Sequence, residues 1–376
     1  MVYPDNFLTY LKWRADLSFK THPFNEIDAL ILTELVYIHF DGIVSGVGEE
    51  GCITIREANA RYEKSKVREM LFYKKKEELF DVLAECPRFS EMTLCNFVDT
   101  YDVEAQQQFA AMHVNVSPYL TFIAFRGTDS TVIGWRENFN MSYMMPVPAQ
   151  QSAVDYVNQT AKGLLKKYWI GGHSKGGNLA VYSAVHCRPI IKRKIISVYS
   201  NDGPGFSKEM VASEAYQKML PKIRTIIPES SIVGLILEHE EEVQIVKSTN
   251  VGVGQHDAMS WEVLGNHFVY TDKVAEQSVF IDETMRTWLM ELDAVQREII
   301  VEAVFEILDE LNIRTVDDFT HLKFADIQEA NKLRKNLPAG TQELLSHAVK
   351  LLFKTGKNSV ELYLREKLEN SKLSKK

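Results

Sequence analysis

Tyr168-Trp169-Ile170-Gly171 runs straight into Gly172-His173-Ser174-Lys175-Gly176, and Leu179 to Cys187 follows as a compact apolar segment. The first four residues read as a short buried strand and the last segment as a helix. The five between them match Gly-x-Ser-x-Gly, in which a strand turns sharply into a helix and presents a serine hydroxyl at the carboxyl edge of a sheet. Small residues are needed on either side of the serine, because the turn strains its backbone and leaves little room for side chains. A chain of this length meets the five-residue pattern by chance about one time in ten. The flanks therefore carry the inference.

Working outward, the α/β alternation holds. Upstream, Gln108 to Val116 and Tyr119 to Phe125 are rich in β-branched and aromatic residues and are joined by Asn115 to Pro118, which predicts a hairpin. A polar, Trp-bearing stretch from Asp129 to Gln150 and a helix from Ala153 to Lys166 lead into the elbow. Downstream come a strand at Lys194 to Ser200, a helix at Ser213 to Met219, and strands at Ile223 to Ile227 and Val243 to Val246. Strands alternating with helices predict a mostly parallel sheet covered on both faces.

The two ends read as helical. Ile27, Leu30, Ile31, Leu35 and Ile38 put apolar groups on one helix face with Glu34 as a polar interruption. Asp41 to Gly51 carries four glycines and reads as a loop, and Ile55 to Leu83 resumes helical periodicity. Beyond about Phe280 the strand signals stop. Met285 to Leu311 and Thr341 to Leu368 read as amphipathic helices around a break at Asn336 to Gly340, and Ser371 to Lys376 as a frayed charged tail. The expected organisation is a helical N-terminal segment over residues 1–100, an α/β core over 101–275 and a helical C-terminal extension over 276–376.

Composition narrows the class. The chain has 376 residues, 45% hydrophobic and 25% charged, which excludes disordered and fibrous classes. A net charge of −8 lacks the basic field that nucleic-acid binding requires. Cys52, Cys86, Cys95 and Cys187 show no metal or disulfide spacing and read as thiols in a reducing compartment. With no signal-peptide pattern at Met1 to Phe7 and no apolar run of 18 residues, a cytoplasmic protein is expected, with a peripheral membrane contact left open. No cofactor is expected: there is no HExxH, no EF-hand loop, no ligand cluster, and no phosphate-loop spacing in Gly42 to Gly51.

A serine hydroxyl is a poor nucleophile until an imidazole accepts its proton, and behind this elbow the chain order is serine, acid, histidine. His186 lies within the elbow helix, His239 lies in the acidic run Glu238 to Glu242 that reads as solvated surface, and His321 and His347 fall in the helical extension. His256, in the glycine-bearing loop Val251 to Asp257, is the preferred base, with His267 in reserve. For the acid, Asp202 follows the Lys194 to Ser200 strand, although a turn-forming role before Gly203-Pro204 competes. Glu229 and Asp257 are the other options. Oxyanion donors are expected from the backbone N–H of Lys175 and from Thr128, after the strand ending at Phe125.

Ala124 to Asp129, Trp135, the Gly172 to Ala180 run, His256 and Trp261 resemble the class 3 lipases, and more closely a bacterial family of uncharacterised lipase-like α/β-hydrolases. The resemblance covers roughly Asn6 to Trp261. It implies an α/β-hydrolase fold, Ser174 as nucleophile, His256 as base, Thr128 with Lys175 as oxyanion donors, and the Ser130 to Tyr143 segment in the place of the lipase lid. One departure matters. Where those lipases carry an Asp-x-Val acid, this chain has Pro228 to Gly234, with Ser231 at the acid's position. Two function classes follow: a serine hydrolase acting on a small-molecule or lipid-like ester, or a degenerate hydrolase kept as a binding or scaffolding protein. Thioesterase, acyltransfer and peptidase chemistry share the same elbow.

Overall fold

The computed structural model describes residues 6–63, 71–129, 132–250, 252–275, 291–313, 318 and 324–350. The chain divides into two compact units: Met1–Asp102 with Gln108–Gly127 and Pro148–Lys273, and Val103–Gln107 with Thr128–Val147 and Val274–Lys376. Parts of the expected helices, residues 64–70, 285–290 and 351–368, lie outside the described residues, as does the tail 371–376.

The first unit is built on a nine-stranded sheet. In sheet order its strands are β1 (Ile53–Thr54), β2 (Thr93–Asp102), β3 (Gln107–Ser117), β4 (Leu120–Phe125), β5 (Lys167–His173), β6 (Ile195–Asn201), β7 (Ile223–Pro228) and β8 (Val243–Val246), closed by Tyr270–Thr271. β3 and β4 form the expected antiparallel hairpin, and β4 through β8 run parallel. With helices on both sides, this is the α/β-hydrolase arrangement. β4 is buried along nearly its whole length, as a strand covered on both faces must be. β2 escapes the sequence reading because Asn96, at φ +53°, breaks its alternation.

The helix Glu26–Leu35 is buried from Ile27 to Leu35, not on one face alone. Its charges can be inside because each has a partner. Asp28 takes two hydrogen bonds from Arg88, at 3.0 and 2.5 Å, and one from Tyr10 at 2.8 Å. Glu34 pairs with Lys76. Asn25 caps the helix, and Asp28 returns a bond to the Asn25 backbone.

In the second unit the helix Val132–Asn140 packs on Ala294–Glu310. Val132, Val301, Phe305 and Ile313 form one buried cluster, and the Phe139 and Phe305 rings meet at 6.0 Å. Arg136 pairs with Glu302, and Arg297 donates to the Ser142 carbonyl at 2.6 Å. The segment matched to a lid thus has packing partners that the sequence reading left unassigned. Trp135, Phe139 and Met144 stay exposed, whereas Met141 is buried. Ser130 and Thr131 lie outside the described residues. Among the described residues no helix is long and apolar enough to cross a membrane.

Candidate active site

β5 ends at His173 and a helix begins at Lys175, leaving Ser174 alone in the turn with φ +57° and ψ −131°. A non-glycine residue held there costs of order 1–3 kcal/mol. Two backbone bonds hold it, from the Ser174 N–H to the Asn201 carbonyl and from the Gly177 N–H to the Ser174 carbonyl, both at 2.9 Å. The motif's glycines are steric necessities: a Cβ on Gly172 would sit 2.0 Å from the Gly176 backbone, and one on Gly176 would sit 2.3 Å from the Phe125 carbonyl oxygen. Ser174 is 7% exposed, and among the described residues its hydroxyl has no hydrogen-bond partner. Such contacts are often open in an enzyme without substrate.

Asp202 and His256 come together. His256 Nδ1 lies 2.6 Å from Asp202 Oδ2, and the carboxylate is fully buried. Because the carboxylate only accepts, Nδ1 carries the proton and Nε2 is left as the basic nitrogen of the neutral ring. Asp202 has φ +48° at the end of β6, so one residue both turns the chain and reaches the imidazole. Its other oxygen accepts from the Ser231 hydroxyl at 2.5 Å and from the Gly234 N–H at 3.1 Å. Ser231, in the loop after β7, thus holds the Asp202 carboxylate at the end of β6.

Two further groups brace the imidazole loop, and the sequence reading missed both. The neighbour of Ser174, His173, places Nε2 2.8 Å from the His256 carbonyl oxygen, with the two rings 4.7 Å apart. Nε2 must donate there, so Nδ1 is free to accept from the Tyr37 hydroxyl at 3.3 Å. Burial, together with the His256 and Lys76 charges, holds His173 well below the ordinary histidine range. Tyr37 also reaches the elbow. A Cβ on Gly127 would lie 2.4 Å from the Tyr37 oxygen and 3.1 Å from the Ser174 Cβ, which puts the residues just after β4 against the serine turn. On the far side of the loop, Gln255 accepts from the Ser230 N–H at 2.7 Å, and Trp261 donates to the Gln255 carbonyl at 2.9 Å.

The Lys175 N–H opens a helix, where amides lack an acceptor within the helix. Its ammonium is buried and donates to the Gln108 carbonyl at 2.7 Å. Thr128 begins the second unit's segment and its hydroxyl accepts from Asn138 at 2.8 Å. Asp257 pairs with Lys75 at 2.9 Å, and His267 Nδ1 lies 2.9 Å from the Phe268 carbonyl oxygen. Neither is bonded to the Ser174 site. His239 is not on a solvated surface as expected: it is 9% exposed and lies 3.0 Å from buried Glu241. Burial raises the Glu241 carboxyl, but bonds from His239, Thr225 and Tyr216 outweigh it and hold the group at about 2. Among the described residues His39, Asp41 and Asp99 are close enough to share a cation. There Arg126 already makes two 2.6 Å bonds to Asp99 and supplies the positive charge.

The family model described as Mbeg1-like matches residues 83–306, more than half of the chain. The chain belongs to the Mbeg1-like family. This is a lipase-like family. The Mbeg1-like stretch begins later than the expected Asn6 and ends beyond Trp261, so it takes in most of the helix Ala294–Glu310. Two solved lipases are similar in structure. The M37 lipase shares 16% identity over 55% of this chain and 68% of its own, with a TM-score of 0.34. The Rhizomucor miehei lipase propeptide complex shares 14% over 43% of this chain and 58% of its own, with a TM-score of 0.30. This chain therefore spans less than two thirds of the second lipase's length. A comparison with curated proteins gave no match.

Proposed function

We propose that this Mbeg1-like chain is a serine hydrolase that cleaves carboxylic esters, lipid-like or carrying an acyl chain, through an acyl-enzyme on Ser174. Family membership supports the hydrolase class. The observation that carries the reading is the 2.6 Å contact between Asp202 and His256, on a loop that His173 ties to the strained serine turn. In the first half-reaction His256 Nε2 takes the Ser174 proton as Oγ attacks the ester carbonyl carbon. The oxyanion is received by the Lys175 N–H, aided by the helix start. His256 then protonates the departing alcohol. Water then gives a proton to the same nitrogen as its oxygen attacks the acyl carbon, the bond to Oγ breaks to release the acid, and His256 returns the proton to Ser174. Asp202 keeps the ring in the required tautomer and offsets the imidazolium charge. No step uses a cofactor, and the net charge of −8 argues against a nucleic-acid partner.

The rival, a binding or scaffolding protein, was motivated by the acid missing at Ser231. Asp202 supplies a carboxylate to the same imidazole, which removes that motive. Turnover of a short p-nitrophenyl ester by purified full-length protein tests the reading. An initial burst of p-nitrophenol that vanishes in Ser174→Ala is expected, whereas equal release by both proteins would overturn it.

A further inference from the structure

At the other edge of the sheet, away from the elbow, two thiols face each other. β1 pairs with β2 so that Ile53 is opposite Leu94 and Thr54 opposite Thr93. The next pair outward in this register is Cys52 with Cys95. The Ile55 N–H donates to the Met92 carbonyl at 2.9 Å, which marks 55 and 92 as a hydrogen-bonded pair. Bonded and non-bonded pairs alternate along an antiparallel ladder, so Cys52 and Cys95 form a non-bonded pair, in which Cα atoms approach to about 4.5 Å. Disulfides span Cα separations of roughly 4.4–6.8 Å. The side chains agree with the register: the Asn115 amide on β3 lies 3.8 Å from Cys52 Sγ and 3.5 Å from Cys95 Sγ, so one donor touches both sulfurs.

The two thiols differ in reactivity. Cys52 is exposed and Cys95 is buried. Burial and the neighbouring Cys52 sulfur push the Cys95 thiol up to about 12, and Cys52, being exposed, is the one that a solvent oxidant reaches. Cys86 and Cys187 are buried and their thiols point at the Ala15 and Ala184 carbonyls, each at 3.6 Å.

We propose that Cys52 and Cys95 form a reversible dithiol–disulfide site for hydroperoxides. The Cys52 thiolate attacks the terminal peroxide oxygen, the O–O bond breaks, and the alkoxide or hydroxide leaves as alcohol or water. This makes the Cys52 sulfenic acid. Cys95 then attacks the Cys52 sulfur, losing its proton as the hydroxyl leaves in a second water. Two thiols have given two electrons to the peroxide, and an external dithiol reverses the step by exchange. The bond joins the two-residue edge strand β1 covalently to β2, where the non-bonded register already holds the sulfurs side by side.

Full-length protein treated with hydrogen peroxide, capped with maleimide and mapped by peptide mass spectrometry tests this. The expected result is loss of two of the four thiols, one peptide pair joined through Cys52 and Cys95, and full recovery with dithiothreitol. Cys52→Ser, at an exposed position, should leave all remaining thiols open to capping, and Cys95→Ser should leave Cys52 oxidised without a cross-link. Cys52 oxidised or linked between two molecules while wild-type Cys95 still takes the maleimide would overturn the proposal.

Discussion

At the elbow the decisive clash is between residues four apart, since a side chain on Gly172 would strike the Gly176 backbone. At the acid corner the partners are far apart in the chain: Asp202 accepts from Ser231, 29 positions on, and binds His256, 54 positions on. The elbow is a steric device written in one short stretch. The corner is an exchange of hydrogen bonds among three loops. That difference teaches why the proposed nucleophile is legible as a short motif whereas the proposed acid, at the end of β6, is not.

The comparison can be broken from either side. Removing the elbow's hydroxyl has the largest effect: Ser174→Ala should lower kcat on a p-nitrophenyl ester on the order of a million-fold, with an unchanged circular dichroism spectrum. At the corner, Asp202→Asn keeps the shape but favours the wrong imidazole tautomer, and a loss of about ten-thousand-fold is expected. Adding Ser231→Asp to that variant should return at least part of the rate, because Ser231 Oγ lies 2.5 Å from Asp202 Oδ1 and a carboxylate there stands beside the one removed. No gain in the double variant would mean the corner is less interchangeable than argued.

A smaller effect separates the two regions by pH. The elbow contains His173, which burial keeps neutral, so below about pH 6.5 the unfolded chain takes up a proton that the folded chain refuses. Stability from this residue should fall as the pH drops through and below about 6.5, read as the denaturant midpoint at each pH. His173→Gln should flatten that slope, and an identical slope in variant and wild type would remove His173 from the account. The smallest effect is expected from Ser231→Ala, about tenfold in kcat, since it deletes one hydrogen bond to a buried carboxylate that Gly234 still supports.

The sequence was most informative where sterics are local. Ser174, its strand and helix, and the β3–β4 hairpin all followed from short-range pattern. His256 and Asp202 were chosen as loop residues at strand ends, which named them but could not bring them together. Ser231 and His173 were unreadable because a hydroxyl facing a carboxylate, or an imidazole facing a carbonyl, leaves no periodic trace. His239 was misplaced because an acidic run looks solvated unless Tyr216 and Thr225, from other elements, are known to reach Glu241.

The most direct check of the activated serine is intact-protein mass spectrometry after incubation of folded protein with a fluorophosphonate at neutral pH. The account predicts one adduct per chain, mapped to the peptide containing Ser174 and strongly slowed in Asp202→Asn. A folded wild-type protein that takes no adduct at Ser174, or takes it as fast without the Asp202 carboxylate, would contradict it.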